Sequence, residues 1–119
     1  MHNLTMLPDR AAMLAHVLPP KKGNATTLIF SRNRLRQEET WRLATEIETE
    51  DRLVLPAQRR ITWQNGRALF FNGDVHVAAG IHAAVVCIDG LAEFSHDEIS
   101  YLLALNRSTS GSTQAFAVL

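Results

Sequence analysis

Cysteine is nearly absent: Cys87 stands alone among 119 residues. An internal disulfide is therefore impossible, and a cytoplasmic setting is expected. Long hydrophobic runs are missing too. The longest, such as Ala83 to Ile88, fall far short of the roughly 20 apolar residues a membrane helix needs, so no membrane contact is expected. Met1 to Pro20 carries Asp9, Arg10 and His16 and has no continuous apolar stretch. That pattern argues against a signal peptide, and the sequons at Asn3, Asn24 and Asn106 then read as chance matches. There is no Gly-x-Ser-x-Gly elbow and no phosphate loop of the Gly-Lys-Ser/Thr kind, so neither hydrolase nor P-loop chemistry is indicated. Neither sign of charge prevails, with 12 Lys and Arg against 12 Asp and Glu. A duplex-binding protein usually shows a clear basic excess.

What is present is globular: 46% hydrophobic and 20% charged residues, enough for a core in one domain spanning residues 1–119. The charge is unevenly spread. Residues 1–60 hold ten Lys/Arg and seven Asp/Glu, a difference of +3, and residues 61–119 hold two and five, a difference of −3. Arg32, Arg34 and Arg36 cluster, as do Arg59 and Arg60.

Residues 8–18 predict a helix, with Pro8 at its first position and Leu7, Ala11, Leu14 and Leu18 at helical spacing. Pro19-Pro20 ends it, and a polar loop follows, so residues 1–23 form an N-terminal helix and loop. Thr26 to Phe30 predicts a short strand. Residues 31–50 fit two periods. Ser31 as a cap with a Phe30–Leu35 staple favours a helix in the first part, whereas Trp41, Leu43, Thr45 and Ile47 alternate as in a strand. Asn65-Gly66 and Asn72-Gly73 are strong hairpin signals. They predict an antiparallel meander over about 60–78, with Ile61 and Trp63 on one face and Leu69 and Phe71 on one face of the next strand. Residues 81–88 read as a short buried helix or a buried strand. Ser95-His96-Asp97-Glu98 is a capping box before a helix, stapled by Phe94 and Ile99. Residues 106–113 read as a polar loop, and Gln114 to Leu119 is a short apolar end.

The expected fold class is α+β and winged-helix-like, with the meander packed against short helices and a core over residues 53–119. Candidate chemistry is thin. Cys87 sits in an apolar run and predicts a buried, inert thiol. Asp74, His76 and His82 could supply a carboxylate and two imidazoles to a metal, though their spacing matches no usual iron triad. Arg32, Arg34, Arg36, Arg59 and Arg60 could bind nucleic acid, but the helix opening at Ser95 begins with acids, which repel phosphate.

The stretch Leu53 to Asp74, with Phe70-Phe71-Asn72-Gly73-Asp74 at its end, followed by Ile88-Asp89-Gly90 and Ser95 to Leu105, resembles the C-terminal winged-helix region of bacterial cupin-type (JmjC-like) protein hydroxylases. The resemblance covers about residues 53–119. Those enzymes carry an iron-binding jelly roll upstream, and no His-x-Asp…His set exists here to match it. The resemblance therefore implies no hydroxylase activity and no cofactor, only an accessory module for protein–protein contact or substrate positioning. The sequence thus favours a non-enzymatic protein-interaction module, with Ala115, Phe116, Val118 and Leu119 as the candidate surface for a partner or a second copy. The alternatives are a small nucleic-acid-binding regulator and a metalloenzyme.

Overall fold

A computed structural model of the chain describes residues 4–18, 26–47, 52–64, 66–80, 83–108 and 114–119. Among them are three α-helices and seven strands in one mixed sheet. In chain order they are β1 (Leu4–Met6), α1 (Arg10–Val17), β2 (Thr26–Phe30), α2 (Arg34–Glu46), β3 (Arg52–Leu55), β4 (Arg60–Trp63), β5 (Ala68–Asn72), β6 (Val85–Asp89), α3 (His96–Ser108) and β7 (Gln114–Val118). The sheet order is β1-β7-β6-β2-β5-β4-β3. The first five are mutually parallel, and β4 and β3 extend the sheet antiparallel. No helix among the described residues is long and apolar enough to cross a membrane.

Each helix forms for a local reason. The α1 helix starts at Asp9, whose carboxylate accepts from Ala12 N at 2.8 Å, so Pro8 precedes the cap and is not the first helical residue. The ambiguous 31–50 segment contains helix from Arg34, capped by Asn33 Oδ1 on Arg36 N at 3.1 Å. Ser31 is therefore not its cap. The Ser95 box is closed both ways: Ser95 Oγ accepts from Glu98 N at 3.2 Å, and Ser95 N donates to Glu98 Oε1 at 2.9 Å. Such a reciprocal cap stabilises a helix start by about 1 kcal/mol.

Strand alternation sorts side chains onto two cores. Ile29, Ile61, Leu69, Phe71, Val85, Cys87, Phe116 and Val118 face α1 and α2, joined by Trp41 and Ala44. Leu28, Phe30, Val86, Ile88 and Ala117 face Leu102 of α3, Phe94, and Val75 and Ala78. Helices thus cover both faces, as a mostly parallel sheet requires. Trp41 meets Phe71 edge-on at 5.4 Å, a geometry worth about 0.5–1.5 kcal/mol beyond burial.

The structure departs from the expected meander at its third strand. β4 and β5 form the first hairpin, with Gly66 at φ 88°, while Asn65 lies outside the described residues. At Asn72-Gly73 the chain does not turn back. Val75–Gly80 is a 3-10 segment. Gly73 is not among the positive-φ glycines, and its role is space, since a Cβ there would lie 3.3 Å from Ser31 O. Asp74 Oδ1 accepts from His76 N at 3.0 Å and starts the 3-10 turn instead. The segment read as helix or strand is the buried strand β6, paired parallel with β2 and β7. Consequently the hairpin expected as a wing is one end of a seven-stranded sheet, and residues 53–119 share that sheet with β1 and β2.

Candidate functional site

Five parallel strands align their carboxyl ends on one edge. At neighbouring β2 and β6 the chain leaves in opposite directions, to α2 on one face and α3 on the other. Open α/β sheets bind ligands in the crevice at such a reversal. Here the crevice is built around Asp89, the last residue of β6, which has no exposed surface.

Alternation points Asp89 to the Cys87 face, beneath α2. Arg36 and Thr40, one helical turn apart, reach it together. Asp89 Oδ2 accepts from Ser31 Oγ at 2.8 Å and from Thr40 Oγ1 at 2.6 Å, and Oδ1 accepts from Arg36 Nε at 3.0 Å. Arg36 Nη2 donates onward to Leu119 O. The guanidinium thus ties α2 to the ends of β6 and β7. Gly90 makes room for it. Gly90 sits at φ 93°, and a Cβ would come within 2.9 Å of Arg36 Nε. A buried carboxylate is tolerable only when paired and hydrogen-bonded, and both conditions hold.

This centre was not singled out by sequence reading. Asp89-Gly90 reads as the turn that ends the 81–88 segment, whether that segment is helix or strand. The available signal was an acid closing the β-branched run Val85 to Ile88, a combination that places a carboxylate at a buried strand end.

The five arginines proposed for nucleic acid do not form one patch. Arg36 is committed to Asp89. Arg32 pairs with Glu98 and lies over Phe94, 5.2 Å from its ring centroid. Arg59, in a left-handed backbone conformation, pairs with Glu38 and covers Trp41. Arg60 lies 4.8 Å over the Phe70 centroid. Of the five, Arg34 is the one without an ion pair or ring contact among the described residues. The apolar end proposed as an interface is also redirected. Ala115, Phe116 and Val118 are buried in β7, between β1 and β6, and only Leu119 is exposed. Their hydrophobicity is that of a core strand.

Of the metal candidates, Asp74 and His76 are joined, Oδ1 to Nδ1 at 2.9 Å, both largely exposed. His82 lies outside the described residues. Among the described residues no group of three or more His, Cys, Asp or Glu gathers. The Asp74 carboxyl is held below its ordinary range, first by the backbone N–H of His76 and then by its ring. Cys87 is fully buried in β6.

Two further arginines, neither of them proposed, bind helix ends. Arg52 donates to Thr45 O at 2.6 Å and to Ile47 O and Ala44 O, closing the carboxyl end of α2. Buried Arg67 donates to Leu18 O at 3.0 Å at the end of α1 and stacks on Trp63 at 4.5 Å. Burial lowers the pKa of its guanidinium.

No family model and no curated protein matches this chain. Among solved structures it is similar to the large terminase of bacteriophage HK97, with a TM-score of 0.72 and 11% identity over 98% of this chain. This chain spans 29% of that protein's length. At that identity the likeness shows the fold alone.

Proposed function

We propose that this chain is a non-enzymatic protein-interaction module built on an open α/β sheet. The observation that supports it is the filled crevice. The one buried carboxylate at the strand reversal already accepts from Ser31, Thr40 and Arg36. A carboxylate so satisfied has little hydrogen-bonding capacity left for a ligand. The neighbouring helix start is taken as well. Asp9 places its own carboxylate on the N-terminus of α1, where an anion would otherwise sit. The resemblance of about residues 53–119 to the accessory region of the cupin-type hydroxylases, whose role is protein–protein contact or substrate positioning, agrees with this reading, although the hairpin here is one end of a seven-stranded sheet.

The test is direct. Purified chain with magnesium and ATP is expected to show no turnover above a blank and no rise in melting temperature. Magnesium-dependent hydrolysis that disappears in Asp89→Asn would overturn the proposal.

A second reading has one observation behind it. The fold match to the HK97 large terminase covers nearly the whole of this chain. On that reading the chain is the counterpart of one part of a large terminase. Hydrolysis in the same assay would favour it.

A further inference from the structure

We infer that the edge strand β3 and the adjoining outer face of β4 are a docking site for an extended, acidic and apolar segment of a partner protein, added as a further strand. The inference rests on the interaction reading above and names its surface and its partner chemistry.

The first observation is the edge itself. β3 is the last strand of the sheet, paired on one side with β4. An edge strand presents a row of backbone donors and acceptors that another chain can pair with. Natural edges are commonly blunted by lysine, proline or a bulge. β3 is short and Pro56 follows it, but within Arg52–Leu55 there is neither lysine nor proline, and Leu53 is 58% exposed.

The second observation is the uncovered face. Val54 and Ile61 pair and point to the core beneath α1 and α2. Leu53 and Leu55, with Thr62 and Arg60 opposite them, therefore point the other way. All four keep solvent exposure. At the strand ends a depression of about 380 Å³ is lined by Leu53 and Thr62 of this face, by Arg52 and Trp63 of the other, and by Gln64.

Charge supplies the partner's chemistry. Residues 52–73 contain Arg52, Arg59, Arg60 and Arg67 and no Asp or Glu. Arg60 lies on this outer face, flat against Phe70, and its buried Nε has no hydrogen-bond partner among the described residues. A buried donor left so is unfavourable. Of these arginines, Arg60 is the one on the outer face; a carboxylate from an added strand would complement it, and the strand's alternate apolar side chains would cover Leu53 and Leu55. Nucleic acid fits less well. It cannot continue a backbone ladder, and it does not cover leucines.

The test uses full-length chain and a blocked, fluorescent peptide of alternating Glu and Val. Controls are a Lys and Val peptide and a single-stranded oligonucleotide. Binding is read by anisotropy and by backbone amide shifts. The Glu and Val peptide is expected to bind, to weaken with salt, and to shift the amides of residues 52–55. Leu53→Glu, at an exposed position, should weaken it about tenfold or more, and Arg60→Glu should do the same. No binding overturns the proposal, as does tighter binding of the oligonucleotide or of the Lys and Val peptide. Peptide binding that survives Leu53→Glu overturns the edge assignment yet leaves the interaction reading standing. Asp89-dependent ATP hydrolysis overturns that reading itself, whatever the peptide does.

Discussion

Between β2 and β6, one carboxylate has gathered every donor within reach. At the other end of the sheet, four arginines share residues 52–73 with no carboxylate at all. The Asp89 centre is buried, reciprocal and closed. Its donors come from Ser31, Arg36 and Thr40, and Gly90 is shaped to admit them. The hairpin end instead spends its cations on helix carbonyls, on aromatic faces and on Glu38. Charge at the closed end holds the fold together. Charge at the open end is divided among separate partners, and it accompanies an exposed leucine on a strand that has one strand neighbour among the described residues. The difference teaches that the crevice usual for α/β ligands is filled by the chain's own side chains here, which is why our proposal places recognition at the antiparallel edge.

The sharpest way to break this comparison is to remove the carboxylate. Asp89→Ala leaves a guanidinium and two buried hydroxyls unmatched. Breaking a buried pair by deleting one partner costs about 3–5 kcal/mol. Urea denaturation should show a loss of that size with an unchanged m-value. A loss under about 1 kcal/mol, the size of an exposed pair, would mean that the centre is not structural.

Next comes Gly90→Ala. The left-handed backbone and the approach to Arg36 both oppose a side chain there, and strain of this kind costs about 1–3 kcal/mol. In an Arg36→Ala background the steric part should vanish, leaving the backbone part. A double-mutant cycle measures this coupling. Strict additivity would show that Arg36 is not what Gly90 accommodates.

At the open end, Arg52→Met should cost less, about 1–2 kcal/mol, because it removes a cation from a partly buried helix terminus while keeping the stem. A loss equal to that of Asp89→Ala would erase the distinction between the two ends.

These residues also show what the sequence made legible. The Ser95 box and the faces of β4 and β5 were readable because their causes lie within a few residues. The Asp89 centre joins side chains 49, 53 and 58 positions apart, and parallel pairing leaves no short-range mark. Arg32, Arg34 and Arg36 looked like one basic cluster because they are close in sequence. Helical geometry splits them, sending Arg36 inward with Thr40. Asn72-Gly73 misled for the opposite reason: a strong local turn signal yielded to a close approach of Ser31 O. Ala115 to Val118 looked like a free apolar end because the strands flanking it, β1 and β6, come from distant parts of the chain.

The smallest effect belongs to Asp74, which lies beyond both ends of the comparison and calibrates it. Its carboxylate accepts from the backbone N–H of His76 at 3.0 Å and contacts the His76 ring. Those bonds favour the ionised form, so its pKa in the folded chain lies below the usual 3.8. A carboxyl lowered on folding stabilises the fold above its unfolded pKa, and that gain is lost as pH falls through the folded value. Asp74→Asn should therefore be slightly less stable than the parent at neutral pH. The gap should close below about pH 4, where the carboxyl of the unfolded chain is protonated. Chemical denaturation of both proteins from pH 7 downward measures it. A gap that widens toward acid would reverse the sign and show that Asp74 is destabilised by its surroundings. A gap near the size expected for Asp89→Ala would mean that an exposed carboxylate counts as much as a buried one, and the contrast between closed and open charge would lose its physical basis.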